Sequence, residues 1–535
     1  MDQGTFGDRL ATAVTNRRGA LVMGALGAAA LMLPAPVEAS GATLKVCESG
    51  PPKCEYSQVQ PAIEHAPDGA TIQIAPGTYR GFAMPDGDAG LTSITLKGAG
   101  AGRTTISGGG PVVTIGSDVS VSISGVTITG GSNPFTGGGI FNEGTLTLTN
   151  CIVSDNTAKS GGGIDNEPGG KLTLEDSKVT GNDATFAAGG IYSSAGTATL
   201  IHSVVRDNTA EDGGGIFIFR GTVSLTDSTV SANRAGYSGL GGGIYNANYE
   251  GTLTLEHSTV SDNTAGTEGH GSDENGGGIY NSGTAALTNS TLSDNRAAHT
   301  GGGIFNRRGA TLTFEAGRIS GNAAGEDGGG IDNPGAATLT NSKVIVNTAG
   351  EEGGGIYNLG ENASLTLTDD TVSGNSAVLG GGIYNYSGRN FTDFLIGTLT
   401  LANSTVSDNT ASQSGGGIYN SGTATLTNSK VSGNTAKADG GGIYNLGDSA
   451  LTNSTVRGNT AEYGGGIYNV QGYVYIIQGG VYRTEESTLT LEHSKVRDNH
   501  ASVLGGGIDN VSSTVTLEES KLIGNSPEDC SGTTC

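Results

Sequence analysis

Hydrophobic and polar positions recur along most of this chain in a unit of about two dozen residues. One unit, residues 422–445, holds three short extended runs: Thr-Ala-Thr-Leu-Thr, Ser-Lys-Val-Ser and Gly-Ile-Tyr. Apolar and polar side chains alternate in the first two runs, as in half-buried strands, and Gly, Asn and Asp separate the runs, as turns require. Because no helical period extends over ten residues, the pattern predicts three strands and no helix in each unit.

The motif Gly-Gly-Gly-Ile-x-Asn marks the repeat. Its Ile occurs fourteen times, and twelve copies keep the Asn, whereas Ser193 and Ile218 occupy that position in two adjacent copies. Most successive Ile residues are 24 to 28 residues apart. Longer intervals add residues before the Gly run, as in 266–275, or after Ile-Tyr-Asn, as in 386–396 and 470–487. Insertions at fixed points indicate loops that project from a regular scaffold.

These features predict an all-β fold, a single-stranded parallel β-helix in which each unit forms one coil of a three-faced solenoid. Fourteen repeats and about four irregular leading coils give about 18 coils. At about 4.8 Å per coil, the rod would be about 85 Å long. The Leu, Val and Ile residues of the three runs are expected to form aliphatic columns inside, while Ser and Thr point outward.

Asn recurs at two turns of the unit, and we expect a ladder of stacked amides at each. Asn tolerates the left-handed turn conformation, and its amide can hydrogen-bond from coil to coil. One column ends the Val-Ser-x-Asn run and comprises Asn156, Asn182, Asn208, Asn233, Asn263, Asn295, Asn322, Asn347, Asn375, Asn409, Asn434, Asn459, Asn499 and Asn525. The other follows the Gly run and includes Asn281, Asn306, Asn358, Asn385, Asn420, Asn445 and Asn469.

The first 39 residues have the features of an export signal. Arg17 and Arg18 precede the apolar run 19–33, and Val37-Glu38-Ala39 fits a cleavage site. The Arg pair behind a long leader is similar to a twin-arginine signal, and the general secretory route is the alternative. We therefore expect a secreted or extracellular protein, with association at the cell surface as an open alternative.

The remaining chain is expected to form three segments. End coils need caps, because they would otherwise expose apolar columns and unpaired strand edges. The predicted segments are 40–135, an N-terminal cap with a short helix within 55–67 and irregular leading coils; 136–525, the regular repeats; and 526–535, a C-terminal cap.

Charge and composition exclude several classes of partner. The formal net charge is −24, with 95 Gly and no Trp among 535 residues. An acidic surface of this kind repels nucleic acids and anionic membranes. We expect no nucleic-acid partner, no integral membrane segment in the mature chain, and a monomer.

Five cysteines fit an oxidising destination. Cys47 and Cys54 lie close together in the first mature segment, and Cys530 and Cys535 lie close together at the end. We interpret them as two local disulfides that clamp the ends of the solenoid. Cys151 stands where other repeats have Ser, and we expect it to be a small buried side chain.

Two stretches resemble known families. The pair Gly-Gly-Gly-Ile and Val-Ser-x-Asn, as in Val406-Ser407-Asp408-Asn409, resembles the polymorphic outer-membrane protein repeat, which has Gly-Gly-Ala-Ile and Phe-x-x-Asn. Residues 57–79, SQVQPAIEHAPDGATIQIAPGTY, resemble the opening of pectin-lyase-like β-helix proteins, in which a short amphipathic helix caps the solenoid. These resemblances imply a right-handed parallel β-helix over nearly the whole mature chain.

The candidate ligand-binding residues lie on two insertions at the same turn, after Ile-Tyr-Asn. Residues 470–487 are expected to form a hairpin around Gln478-Gly479-Gly480, three coils, or about 14 Å, from the insertion 386–396. Aromatic side chains on projecting loops suit flat glycan or protein surfaces; the alternative is that they fold back and cover one another. The candidates are Tyr386, Arg389, Phe391, Phe394, Tyr473, Tyr475, Tyr482 and Arg483.

The acidic residues predict no catalytic site. Asp165, Asp332 and Asp509 replace the aromatic residue after the motif Ile, and we expect them to be solvated surface acids far apart along the stack. Similar acids precede the ladder Asn in many repeats, and this column is expected at the surface. We find no spacing of metal ligands, no calcium nonapeptide and no phosphate loop, and we expect no cofactor.

These observations favour an exported, non-enzymatic rod that is adhesin-like or glycan-binding at the cell exterior, with a polysaccharide or a cell-surface protein as its partner. The alternative is an extracellular polysaccharide lyase or glycoside hydrolase of the pectin-lyase-like fold. An enzyme would bring three or more acids and an Arg together near one of the two insertions.

Overall fold

The computed structural model describes residues 41–535 except 85, 87–90, 238, 267–274, 361–362, 390–393, 472–474, 477–481, 484–486 and 533–535; in 387–389, 394–396, 475–476 and 482–483 it describes the backbone alone. The predicted fold is confirmed: the described chain is an all-β, right-handed parallel solenoid of about 17 turns. Almost every strand pairs in parallel with the equivalent strand one turn away.

A first stack contains the Thr-Leu-Thr-Leu-Thr runs, and we call it the Leu stack. Its side chains alternate between buried and exposed, with Leu146, Leu148 and their equivalents inside. The 18 strands are Thr43–Val46, Ala70–Ile74, Ser93–Lys97, Ser120–Ser124, Thr145–Thr149, Lys171–Glu175, Thr197–Ile201, Thr222–Thr226, Thr252–Glu256, Thr284–Thr288, Thr311–Glu315, Ala336–Thr340, Ser364–Thr368, Thr398–Ala402, Thr423–Thr427, Asp448–Thr452, Thr488–Glu492 and Thr514–Glu518.

A second stack, the Val stack, follows in each turn, and most of its strands bury an aliphatic residue such as Val230 or Val406. Its strands are Gly77–Arg80, Thr104–Ser107, Thr127–Thr129, Ile152–Ser154, Lys178–Thr180, Val204–Arg206, Thr229–Ser231, Thr259–Ser261, Thr291–Ser293, Arg318–Ser320, Lys343–Ile345, Thr371–Ser373, Thr405–Ser407, Lys430–Ser432, Thr455–Arg457, Lys495–Arg497 and Lys521–Ile523.

A third stack was not separated from its neighbours by the sequence pattern, because most of its strands are only two residues long. We call it the Thr-Ala stack, and it adds a fourth strand to each regular turn, so the predicted three strands per turn and three-faced solenoid are corrected to four stacks. Its 14 strands are Ser132–Thr136, Thr157–Ser160, Asp183–Ala187, Thr209–Ala210, Arg234–Ala235, Thr264–Ala265, Arg296–Ala297, Ala323–Ala324, Thr348–Ala349, Ser376–Ala377, Thr410–Ala411, Thr435–Ala436, Thr460–Tyr463 and His500–Leu504.

The fourth stack, the Ile stack, carries the repeated motif. Each motif Ile is buried, and the following side chain lies on the outer face. Its strands are Phe82–Met84, Val113–Ile115, Ile140–Asn142, Ile164–Asn166, Ile191–Ser194, Ile216–Phe219, Ile244–Asn246, Ile279–Asn281, Ile304–Asn306, Ile331–Asn333, Ile356–Leu359, Ile383–Arg389, Ile418–Asn420, Ile443–Asn445, Ile467–Val470, Ile508–Val511 and Cys530–Gly532.

The few other elements lie at one end or on the insertions. The helix Val59–Glu64 buries Val59, Ala62 and Ile63 at the start of the solenoid. Phe394–Ile396 pairs antiparallel with the end of Ile383–Arg389, and Tyr475–Ile476 pairs antiparallel with Tyr482–Arg483, which confirms the predicted hairpin. No helix among the described residues is long and apolar enough to cross a bilayer.

The Gly run is required for two different reasons. The first Gly of a copy, such as Gly353 with φ of 63°, adopts the left-handed conformation that favours glycine. The third Gly lacks room instead: a Cβ on Gly355 would lie 2.6 Å from the Gly382 carbonyl oxygen and 2.9 Å from Nδ2 of Asn375. Successive turns therefore pack too closely at this corner for a side chain.

Candidate functional site

The motif Asn and the Val-Ser-x-Asn residues form the two hydrogen-bonded columns. In the second of these, Nδ2 of Asn409 donates to Oδ1 of Asn434 at 2.9 Å and to the carbonyl of Val372 at 3.0 Å. The column runs from Asn156 to Asn525, where Oδ1 of Asp529 accepts the last amide at 2.8 Å in place of a further Asn. Every member is buried, so these amides hold the turns together and are not available to a ligand.

The motif Asn column is interrupted where the sequence departs from the repeat. Asn246 donates to Asn281 at 2.8 Å, and the series continues through Asn306, Asn333, Asn358, Asn385, Asn420, Asn445, Asn469 and Asn510. Ser193 and Ile218 separate this series from Asn142 and Asn166. Oγ of Ser193 and Oδ1 of Asn246 are consequently buried without a hydrogen-bond partner.

The disulfide candidates lie at the two ends. Cys47 and Cys54 are joined, with their Cα atoms 5.8 Å apart. Cys530 is disulfide-bonded, and Cys535 lies outside the described residues. Cys151 is a buried free thiol, and burial raises its pKa.

The turns that follow the Ile-stack strands carry the candidate binding residues, and we call this edge the hairpin corner. Tyr386, Arg389 and Phe394 belong to the hairpin at 383–396, and Tyr475, Tyr482 and Arg483 to the second hairpin. Phe391 and Tyr473 lie outside the described residues. Two Ile-stack strands separate the hairpin-bearing strands, so three spacings, or about 14 Å, lie between them.

Tyr386 is the one candidate whose side chain is described. Its ring centroid lies 6.0 Å from that of Tyr384, with the two rings nearly parallel. Leu359, Leu379 and Leu446 pack against the same group of rings. The Tyr386 ring is thus partly buried against the body of the solenoid and forms the inner edge of the corner.

Four residues of the same corner were missed by the sequence analysis. The Tyr249 ring is 61% exposed, and the guanidinium of Arg307 lies 5.8 Å from its centroid. The Phe219 ring is 37% exposed, and the guanidinium of Arg220 lies 5.2 Å from its centroid. Arg220 also forms an ion pair with Glu250, with Nε and Oε2 3.7 Å apart.

The Tyr249 ring is fixed by the turns around it. The next turn along the solenoid is short, because Asn281 and Thr284 flank only two residues. The ring reaches across it to the turn 307–310, where a Cβ added to Gly309 would be 3.2 Å from Cε1 of Tyr249. Aligning the residues after each motif Asn would have revealed this cluster, since aromatic and Arg residues recur there as Phe219-Arg220, Tyr249 and Arg307-Arg308.

The outer face of the Ile stack carries a column of stacked rings. Neighbouring centroids along Tyr357, Tyr384, Tyr419 and Tyr444 lie 4.6 to 5.4 Å apart. A second run comprises Tyr192, Phe217, Tyr245, Tyr280 and Phe305. Most of these rings are buried, so the column stabilises the stack and offers little surface to a ligand.

The prediction for the three Asp residues of this column is wrong. Asp165, Asp332 and Asp509 are all buried, because residues before the Gly runs and the neighbouring rings cover this outer face. Oδ1 of Asp332 and both carboxyl oxygens of Asp165 have no hydrogen-bond partner, whereas Ser531 donates to Oδ1 of Asp509 at 2.7 Å. By contrast, the acids that precede the ladder Asn are exposed, as expected: Asp155, Asp262, Asp294 and Asp408.

Burial controls the protonation of these carboxyls. It raises the pKa of Asp165 to about 8 and that of Asp332 to about 8. The pKa of Asp327 is raised to about 7, mainly by burial and to a smaller extent by repulsion from the Glu352 carboxylate. Burial also raises the pKa of Glu352, although the hydroxyls of Tyr357 and Tyr384 hydrogen-bond to it and oppose the shift.

Asp327, Asp332 and Glu352 therefore form a covered acidic cluster beside the ring column, whereas Asp165 lies six Ile-stack strands away. Within the described ranges, no group of three or more His, Cys, Asp or Glu residues is arranged to hold a metal ion. The exposed chemistry of the described hairpin corner includes aromatic faces and guanidinium groups, which can stack on and hydrogen-bond to a flat polar ligand, together with the Glu250 carboxylate beside Arg220.

Comparison with known proteins agrees with this architecture. The model of the right-handed β-helix region matches residues 93–265, and the model of the Chlamydia polymorphic membrane protein repeat matches residues 403–421. No curated protein matches the chain.

The similar solved structures include polysaccharide-modifying enzymes. Pectate lyase Pel9A has 14% identity and a TM-score of 0.28, with 63% of this chain and 77% of that chain covered. The A-module of the mannuronan C-5 epimerase AlgE6 from Azotobacter vinelandii has 13% identity and a TM-score of 0.22, with 86% and 92% covered. The alginate lyase AlyGC has 12% identity and a TM-score of 0.18, with 89% of each chain covered. Values this low carry no argument about activity.

The fold and the repeats together define the class of this protein. It is a right-handed parallel β-helix. Within it, residues 403–421 are similar to the repeat of the Chlamydia polymorphic membrane protein.

Proposed function

We propose that this chain is an exported, non-enzymatic rod that binds glycans at the cell exterior and acts in an adhesin-like way. The observation that carries the proposal is the exposed Tyr249 ring, held across a short turn by Arg307 and Gly309. Sugar rings stack on exposed aromatic faces of this kind, and an adjacent guanidinium can donate to their hydroxyl groups.

The surroundings of Tyr249 support the same function. Phe219 with Arg220 lies on the preceding turn, and the two hairpins extend the corner further along the rod. Guanidinium groups concentrate here although the chain has a net charge of −24. A row of aromatic and guanidinium groups along one edge suits an extended ligand better than a compact one.

The experiment measures retention and product release on the same panel of neutral and acidic polysaccharides. We expect retention without new reducing ends or unsaturated sugar ends, and a loss of retention of about fivefold in Tyr249→Ala. The matched control is Val346→Ala, which removes an exposed apolar side chain that lies elsewhere on the chain, in the turn after a Val-stack strand. Equal retention by the two variants would contradict the site, and release of product would favour the alternative of a lyase or hydrolase.

A further inference from the structure

A second group of exposed side chains lies toward the N-terminal part of the described solenoid, on the Thr-Ala stack. Phe135, Lys159 and Phe186 occupy the same position in three adjacent parallel strands, since each precedes one of the paired residues Thr136, Ser160 and Ala187. This row lies on a different stack from the hairpin corner and shares no residue with it.

Both Phe residues are presented by irregularities in the strands. Between their paired residues, the strands Ser132–Thr136 and Asp183–Ala187 each place two residues opposite the single residue Lys159, as at a β-bulge. Bulges re-aim side chains and are frequent beside binding sites. The first is braced by Asn133, whose Oδ1 accepts from the Phe135 amide at 3.1 Å and whose Nδ2 donates to the Thr136 carbonyl.

The row is open to solvent along its length. The Phe135 side chain is 71% exposed, the Phe186 side chain is 52% exposed, and Lys159 between them is also exposed. Within the described part of the chain, the Lys159 ammonium forms no ion pair or hydrogen bond. An exposed pair of large apolar rings flanking an uncommitted cation is unusual on a surface with a net charge of −24.

The spacing of the row fits a linear polysaccharide. Adjacent strands lie about 4.8 Å apart, so the two Phe positions are separated by about 9.6 Å along the rod axis. One strand spacing is close to the length of one hexose in an equatorially linked chain. A chain laid along the axis would stack alternate sugars on Phe135 and Phe186 and bring the sugar between them to Lys159.

The geometry points to a second, independent glycan site in which Phe135 and Phe186 stack on alternate sugars of a linear, equatorially linked polysaccharide and Lys159 binds a carboxylate on the intervening sugar. The two bulges present the rings of Phe135 and Phe186, and Lys159, on the strand between them, places its ammonium group midway between the two rings. The ligand class is therefore a chain of uronic acids, and its direction is parallel to the rod axis.

The test compares two hexasaccharides of the same linkage, β-1,4-linked hexaglucuronate and cellohexaose, by titration calorimetry. We expect Phe135→Ala and Phe186→Ala each to weaken hexaglucuronate binding by about fivefold. Lys159→Gln should weaken hexaglucuronate binding by about threefold and remove its dependence on salt, while leaving the weaker binding of cellohexaose unchanged. Val346→Ala is the matched control, because it removes an exposed apolar side chain that belongs neither to this row nor to the hairpin corner, and it should leave hexaglucuronate binding unchanged.

The outcomes separate this proposal from the proposed function. Loss of binding in the Phe135 and Phe186 variants with full binding in Tyr249→Ala supports the second site, whatever the hairpin corner binds. Equal binding by wild type and all three row variants overturns the proposal, as does an equal effect of Lys159→Gln on the two hexasaccharides. Unchanged thermal melting of the variants, expected because the substituted side chains are exposed, excludes misfolding as the cause of a loss.

Discussion

Asp332→Asn is expected to stabilise this protein at alkaline pH and to leave it nearly unchanged at acidic pH. The Asp332 carboxyl is 3% exposed and lies in the ring column between Phe305 and Tyr357. Burial raises its pKa to about 8; the Thr300 hydroxyl opposes the shift, and the Asp327 carboxylate adds to it. The folded protein therefore keeps this proton over a pH range in which the unfolded chain has released it.

The sign of the effect follows from the proton count. Between the ordinary pKa of 3.8 and the raised value of about 8, the folded state binds more protons than the unfolded state, so the free energy of unfolding falls as the pH rises. The free energy of unfolding falls by about 1.4 kcal/mol for each pH unit in this range. The total loss at pH 8 is on the order of 5 kcal/mol for the whole rise in the pKa of Asp332. Asp165, with its pKa raised to about 8, and Asp327, raised to about 7, add to the same slope.

The assay is urea unfolding from about pH 5 to about pH 8, with hydrogen exchange of the strand Ile331–Asn333 as the local readout. The free energy of unfolding of Asp332→Asn should exceed that of the wild type most at the alkaline end of this range. The difference between the two should shrink by about 1.4 kcal/mol for each pH unit toward acid. Asp294→Asn is the matched control, since Asp294 is exposed. A wild-type stability that does not fall with pH, or equal behaviour of the two variants, would refute the reasoning.

Three further predictions concern the columns inside the solenoid. Ile356→Asp should unfold several neighbouring turns, because Ile356 is fully buried and an unpaired charge cannot be accommodated there; a cooperative melt like that of the wild type would count against it. Asn409→Ala should cost about 3–5 kcal/mol in chemical denaturation, because it leaves several buried polar atoms unpaired; a loss below about 1 kcal/mol would contradict a continuous ladder. Ile218→Asn should be tolerated far better than Ile216→Asn, because an amide at position 218 can pair with the orphaned oxygens of Ser193 and Asn246; equal destabilisation of the two variants would exclude this repair.

Much of the fold was predictable because a solenoid repeats its local rules. The alternation in Thr-Leu-Thr-Leu-Thr determines which side chains face inward, and the first Gly of each run needs a left-handed conformation that can be read from one turn alone. Insertions such as 386–396 were recognisable in the sequence as extra residues at a fixed point of the repeat. Periodicity thus identified three of the four strands of each turn, the core columns and the places where loops leave the scaffold.

The candidate sites were only partly predictable, because they depend on contacts between turns. The sequence identified the hairpin corner but missed Tyr249, whose ring is held by a turn two repeats further along the chain. It gave no sign of the row at Phe135 and Phe186, since a bulge is defined by the residues of the neighbouring strand.

The sequence by itself determined the repeat, three of the four strands in each turn, the inward aliphatic columns and the Asn positions, because each depends on the preference of a residue for its own place in the turn. The tertiary structure alone decided which outward positions are buried. Asp165 and Asp332 occupy outward positions of a strand, yet adjacent rings and the residues before the Gly runs cover them. Burial of an outward side chain depends on the turns above and below it, which no single repeat specifies.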